Sequence, residues 1–330
     1  MVEQWQVFIL STTGETAQGF EAVPQGANNC LFKVNCKNGI QFALKYYPGS
    51  EEDTRNRLMT EFTSLQFLAP RCNGVVPEAL GYDEDSQIAL YQWIEGETIK
   101  SPSSSDIQAA LAFIGRLKEL GSEKAARKFA EASEACLTFT ELTQQIENRY
   151  EKLLAVSDQD PDLTVFLEDS FQPRFQSLSR KLPISDVAHS DMCLSPSDFG
   201  FHNALRCRDD HLVFVDFEYF GWDDPVKLVC DFLLHPAMDL STTEKAQFWV
   251  GAKELFAGDP AFEERFYLLY PYYALRWCMI LLNEFLPERW QRRQAAGAVD
   301  NINDKKCDQL LKSQAWYIKS EGFQEWTPDQ

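Results

Sequence analysis

The sequence predicts an α+β chain of two lobes, a small β-rich one followed by a larger, mostly helical one. Three observations carry that expectation. Lys37-Asn38-Gly39 stands between two runs of strand composition, and Asn-Gly in that setting marks a hairpin. The segment Ile94-Glu-Gly-Glu-Thr98 then breaks the pattern and reads as a linker. Beyond it, apolar residues recur mainly at helical spacing. The expected division is residues 1–95 and residues 96–330.

In chain order, Cys30–Cys36 and Ile40–Tyr46 form the expected hairpin strands. A helix follows over about Glu51 to Leu68, with Leu58, Phe62, Leu65 and Leu68 on one face. Ala79–Asp83 and Gln87–Trp93 are two further strands. Ser105–Leu120 starts on a capping residue and stops at Gly121, as a helix should. Thr138–Ala155 and Leu163–Leu182 are expected helices, as are Lys245–Phe256 and an apolar pair near Phe262–Phe285. Between them lie short strands at Asn203–Cys207 and Leu212–Asp216. No internal repeat or low-complexity tract interrupts the pattern.

Composition narrows the function. The chain has 330 residues and is 45% hydrophobic, enough for a substantial core. Its formal net charge of −19 excludes the basic footprint of a nucleic-acid binder. Residues 1–95 carry 6 basic and 12 acidic side chains, and residues 96–330 carry 25 and 38, so the charge is spread along the chain. Solubility explains such a distribution; steering of a cationic small-molecule substrate is the sharper reading. The nine cysteines are scattered with no C-x-x-C pair, which disfavours zinc and suits reduced thiols in the cytoplasm. The N-terminus lacks the basic region of a signal peptide. The longest apolar region, Phe266–Leu282, is interrupted by Pro271 and Arg276 and is too short for a membrane span. Oligomeric state leaves no signature.

One constellation points to chemistry. Asp198 is followed five residues later by Asn203, and eighteen residues later by Asp216 at the end of an apolar strand. Phosphoryl transfer needs such oxygens: one Asp to orient and deprotonate the attacking hydroxyl, an Asn and a second Asp to hold Mg²⁺ on the phosphates of ATP. Asp191, two residues after His189, fails the same test, because Pro196 stands where the Asn is required. The other parts appear in order. Lys45 ends a hairpin strand, where it can neutralise phosphates, and Glu61 lies on the next helix, where it can pair with Lys45. Gly26, in the turn Pro24–Cys30, lets backbone amides approach phosphate oxygens. Alone, Lys45 is equally a solvated strand end, Glu61 a helix-surface acid and Gly26 a plain turn; their order raises their weight.

On these residues the chain resembles the aminoglycoside phosphotransferase and choline kinase superfamily, from about Gly19 to about Phe285. The family's H-x-D-x-x-x-x-N loop corresponds to Pro196-Ser-Asp198-Phe-Gly-Phe-His-Asn203, and its D-x-E segment to Asp216-Phe-Glu218. The resemblance implies a bilobal protein-kinase-like fold and transfer of phosphate from ATP, with Mg²⁺, to a small-molecule hydroxyl. It assigns residues 1–95 to nucleotide phosphate binding and residues 96–330 to the catalytic loop, metal site and acceptor pocket. It implies Asn29 in the phosphate loop Gln25–Asn29, the Gln92 carbonyl and Ile94 amide as adenine contacts, and Asp231 as a support of the catalytic loop. The loop histidine is replaced by Pro196, and the phosphate loop keeps one glycine.

Three functions stay open at this level. The first is a small-molecule kinase acting on an aminoglycoside-, choline- or sugar-like acceptor. The second is a catalytically silent nucleotide-binding module, favoured by Pro196 and the sparse glycines. The third is a nucleotidyl transferase of the same fold. Glu218 reads as a metal ligand, a substrate contact or a structural acid. Asp223, Asp224 and Glu284 offer a candidate anionic pocket for an amine, with Trp222 beside it; a solvated loop explains the first two acids as well. His189, His202, His211 and His235 read as surface or packing residues.

Overall fold

Alternation of side chains in β-strands sorts the residues of the first lobe onto two faces. The elements are helix α1 (Val2–Thr13) and strands β1 (Ala17–Val23), β2 (Cys30–Cys36) and β3 (Gln41–Tyr46). Helix α2 (Arg57–Leu68) follows, then β4 (Ala79–Asp83) and β5 (Ile88–Gln92). The five strands form an antiparallel sheet in the order β1-β2-β3-β5-β4. The β2–β3 turn is the expected one: Gly39 adopts φ 84°, and its N–H donates to the Cys36 carbonyl. The structure is a computed structural model describing residues 2–23, 30–48, 55–179, 186–289 and 301–323.

Phe42 and Leu44 of β3, with Ile88 and Leu90 of β5, join Val34, Trp5 and Ile9 in a core that seals α1 against one face of the sheet. Helix α1 was absent from the sequence-based expectation, which read this region as β-rich. The opposite face carries Lys45, Tyr47 and Tyr91 next to α2. Helix α2 starts at Arg57 rather than at Glu51. Asn56 caps it by accepting the Met59 N–H, and residues 51–54 lie outside the described ones.

The expected linker contains a strand, β6 (Gly96–Thr98). After α3 (Ser104–Gly121), α4 (Phe139–Ser157), α5 (Pro161–Val165), α6 (Gln172–Ser179) and β7 (Cys193–Ser195), the chain forms β8 (Ala204–Cys207) and β9 (Leu212–Phe214). These pair antiparallel in the order β6-β8-β9. Phe113 of α3 stacks on Phe214 of β9 at 4.7 Å and lies 5.9 Å from Phe199. That packing supports both segments that carry candidate residues.

The described chain divides into two units. One takes Met1–Ser133, Leu194–Trp222 and Ala237–Asp239, and the other takes Glu134–Cys193, Asp223–Pro236 and Leu240–Gln330. The second unit is helical. After β10 (Gly221–Asp223) it holds α7 (Pro225–Leu234), α8 (Thr242–Leu255), α9 (Phe262–Leu281) and α10 (Ile302–Lys319). The expected pair near Phe262–Phe285 is one helix, α9, with Pro271 inside it and a 3₁₀ turn at Leu282–Phe285. Burial of its apolar residues outweighs the backbone bond lost at proline. The expected helix Leu163–Leu182 is interrupted by a π-helical stretch, Phe166–Phe171, between α5 and α6. Phe171 stacks between Tyr150 and Phe175 there. Among the described residues, no helix is long and apolar enough to cross a membrane.

Candidate active site

Lys45 is the centre of the site. Strand β3 is pinned on both sides, Leu31 opposite Lys45 on β2 and Ala89 opposite it on β5, so the side chain leaves a rigid sheet. Its Nζ lies 2.6 Å from Glu61 Oε2 and 2.6 Å from Asp216 Oδ1. Burial alone would push the ammonium's pKa down. The charges of Asp216, Glu61 and Glu218 outweigh it, and the net shift is upward. Lys45 therefore stays a cation.

Glu61 is held from three directions. Besides Lys45, it accepts the Tyr47 hydroxyl at 2.7 Å and the Phe217 backbone N–H at 3.3 Å. Tyr47 in turn lies 2.8 Å from the Tyr91 hydroxyl. Burial raises the Glu61 pKa against the pull of Lys45. Order along the chain nominated Glu61 and Lys45 as candidates but not Tyr47 or Tyr91, which strand alternation places on the same sheet face as Lys45.

Asp216 adopts φ 69°, an uncommon left-handed conformation for a non-glycine residue, two residues after the end of β9. Its neighbour Val215 donates to the Asn203 carbonyl at 2.9 Å. The Asn203 side-chain amide donates to the Asp198 carbonyl at 2.9 Å and closes the loop between them. Ser197, just before Asp198, also lies at positive φ, 67°, and is fixed by its hydroxyl donating to the Ser133 carbonyl at 2.8 Å. Glu61, Lys45 and Asp216 are thus in direct contact, and the backbone of Val215, next to Asp216, joins them to Asn203 and Asp198. His202, expected as a surface or packing residue, instead places Nε2 3.0 Å from Asp198 Oδ1. Its position four residues after Asp198, within one turn of chain, was the available signal.

The donor set suits Mg²⁺ in kind, because Glu61, Asp216 and Glu218 each offer a carboxylate oxygen within 4.8 Å of the others. Exposure separates them. The Asp216 side chain is 34% exposed, whereas those of Glu61 and Glu218 are 4% and 2%. Glu218 faces Arg57 at 3.6 Å, so its charge is balanced inside the protein. Asp216 is the most exposed of the three carboxylates.

Other expected residues fall as follows. Gly26 and Asn29 lie outside the described residues. Gln92 closes β5, and Ile94 follows where the chain leaves the sheet. Asp191 sits in a 3₁₀ turn, His189–Asp191, of the second unit. The proposed anionic pocket is overturned. Asp223 is buried against Lys227 at 2.7 Å, and Asp224 against Arg265 at 2.9 Å, so internal cations match both acids. Trp222 is buried, with its indole N–H donating to the Ala126 carbonyl. Asp231 contacts Lys227 at 3.1 Å, Arg276 at 3.4 Å and the Trp277 indole at 2.9 Å, all within the second unit.

Solved structures share this architecture. A choline kinase from Cryptosporidium parvum Iowa II superposes with a TM-score of 0.59 at 11% identity, over 97% of this chain and 99% of that one. A choline kinase from Streptococcus pneumoniae gives 0.60 at 14%, over 96% and 99%. A spectinomycin phosphotransferase, in complex with ADP and spectinomycin, gives 0.62 at 10%, over 94% and 98%. At these identities the likeness is one of fold, and the fold is the α+β, protein-kinase-like one expected. A comparison with curated proteins finds no match. The sequence profile of the phosphotransferase enzyme family matches residues 19–251, a span that contains Lys45, Glu61, Asp198, Asn203 and Asp216. With most of its length inside that profile, the chain belongs to the phosphotransferase enzyme family.

Proposed function

We propose that this protein transfers the γ-phosphoryl group of ATP to a hydroxyl of a small molecule. The observation that carries the reading is the buried Lys45 ammonium, held 2.6 Å from both Glu61 and Asp216. A cation fixed by a helix carboxylate at the edge of a sheet is placed to meet phosphate oxygens. Similar structures solved with ADP or AMP support a nucleotide as donor.

In this reading Asp198 orients the acceptor hydroxyl and takes its proton as the oxygen bonds to phosphorus and ADP leaves. Lys45 binds the phosphates and Glu61 positions Lys45. Asp216 and Asn203 are the residues that would hold Mg²⁺, which when bound screens the charge of the phosphates. Gln92 and Ile94 provide adenine contacts, and Gly26 and Asn29 belong to the phosphate loop. Residues 1–95 bind nucleotide phosphates, and residues 96–330 carry the catalytic loop and acceptor pocket. The protein has little covalent chemistry to perform, so placement and charge supply the catalysis. The acceptor is a small alcohol of the aminoglycoside, choline or sugar kind. The chain's negative charge favours a cationic one. Nine scattered cysteines with no C-x-x-C pair suit work in the reducing cytoplasm.

A screen of amino alcohols, sugars and aminoglycosides with labelled ATP tests the proposal. Acceptor-dependent ADP release is expected. Asp216→Ala should abolish it, and Asp198→Ala should lower kcat by about a hundredfold or more while ATP binding is kept. Pro196, in place of the family's loop histidine, favours a second reading as a silent nucleotide-binding module. That reading predicts ATP binding with no acceptor-stimulated turnover across the same screen.

A further inference from the structure

The family pattern has a histidine two residues before the aspartate, and this chain has Pro196 there. An imidazole nevertheless reaches the aspartate from the other side of the sequence. Nε2 of His202 lies 3.0 Å from Asp198 Oδ1, with the histidine side chain 15% exposed. An ionised carboxylate only accepts hydrogen bonds, so this contact requires the proton on Nε2.

The loop is shaped around that ring. Gly200 adopts an extended backbone, φ 168°, that any residue tolerates, so conformation does not demand glycine there. Space does. A Cβ at Gly200 would stand 2.8 Å from Nδ1 and 2.9 Å from Cε1 of His202, and 2.6 Å from the Met238 sulfur. The Phe201 N–H points at that sulfur at 3.1 Å, and the Phe201 side chain is buried. Asn203 then ties the loop back to the Asp198 carbonyl. These neighbours pack the loop around the imidazole where it meets Asp198.

We propose that His202 is the positioning residue of Asp198, taking over from the opposite side of the loop the bracing that a histidine at position 196 would give. The inference rests on the reading of Asp198 as the proton acceptor. Rotation about the terminal torsion of an aspartate is soft. A general base must hold one oxygen within about 2.6–3.2 Å of the hydroxyl it deprotonates. A hydrogen bond from Nε2–H to Oδ1 fixes that rotation, and small misplacements of a reacting group cost large factors in rate. Pro196 is on this account compatible with an active enzyme.

Two measurements test it. In ¹H–¹⁵N spectra of the histidine rings, His202 is expected as the Nε2–H tautomer, with a resonance that moves on Asp198→Asn. A His202 ring insensitive to that substitution overturns the proposal without any turnover assay. In kinetics, with water as the phosphoryl acceptor and with any alcohol found in the screen, His202→Ala should lower kcat about tenfold to a hundredfold. ATP affinity and thermal midpoint should stay near the parent's. His202→Gln, whose amide N–H reaches a similar point, should recover most of the loss. Gly200→Ala, which displaces the ring, should reproduce it. These two variants decide the matter if His202→Ala does not fold. Full kcat in His202→Ala and Gly200→Ala alongside an inactive Asp198→Ala sinks this inference alone. Full kcat in Asp198→Ala sinks the reading beneath it.

Discussion

Lys45 is surrounded by three carboxylates, those of Glu61, Asp216 and Glu218, and Arg57 faces Glu218 at 3.6 Å. Neutral donors therefore matter around Glu61, and Tyr47 is the nearest. Burial and the Glu61 charge hold its phenol well above the ordinary pKa, so it remains a donor at any working pH. Tyr47→Phe should leave Glu61 and the Tyr91 hydroxyl each short of a partner, at a cost of about 1–3 kcal/mol. A lower urea midpoint, with Lys45 chemistry retained, is the expected outcome; an unchanged midpoint would show that the tyrosine pair contributes nothing. Residues of this kind mark the limit of legibility in the sequence. Lys45, Glu61, Asp198, Asn203 and Asp216 were nominated as candidates because phosphoryl transfer demands those types in that order. Tyr47 and His202 were not nominated: the only sequence signals for them were strand alternation and a four-residue spacing, and neither residue type is required by the chemistry.

Helices α3 and α4 begin within a residue of where the sequence placed them, whereas α8, which also has a capping box, begins three residues before the expected Lys245. Ser103 with Asp106 starts α3, and Thr138 with Glu141 starts α4, each satisfying backbone donors that would otherwise be orphaned. The π-helical stretch at Phe166–Phe171 was not legible, because it serves the stacking of Phe171 rather than a local preference. Elements are also joined by charge. Glu134 accepts from Arg149 of α4 at 2.5 Å and from Arg276 of α9 at 2.7 Å. Burial pushes its pKa up, the two guanidinium groups more than reverse this, and the carboxyl settles at about 2, below the ordinary 4.5. A depressed carboxyl stabilises the fold above pH 4.5 and loses that contribution as pH falls through about 2. The Glu134 side chain is 40% exposed, so solvent screening limits the effect to about 1 kcal/mol. Glu134→Gln should be less stable than the parent by that amount at pH 7, and the gap should narrow at pH 3. Urea midpoints at the two values check it.

At the scale of the molecule, the two-lobe pattern was visible as a change of periodicity, while the path of the chain between units was not. Hydrophobic spacing reports which face of an element is buried, but it does not say which distant segment covers it. The unit that holds the candidate site takes residues from three separate stretches of chain. Strand β6 pairs with β8, and the Val75 carbonyl accepts the Phe214 N–H at 2.8 Å, so residues before 133 depend on residues after 194. A fragment of residues 1–133 should thus fail to unfold cooperatively and should bind a dye for exposed apolar surface. A sharp, two-state melt from that fragment would contradict the pairing. The Lys45–Asp216 contact spans 171 positions along the chain. On a ribosome, which delivers the polypeptide from its first residue onward, the ammonium must wait until well over half of the protein has been synthesised before its second carboxylate arrives. A premature stop anywhere in that interval yields a product without the Lys45–Asp216 contact, however much of the leading sheet has already formed.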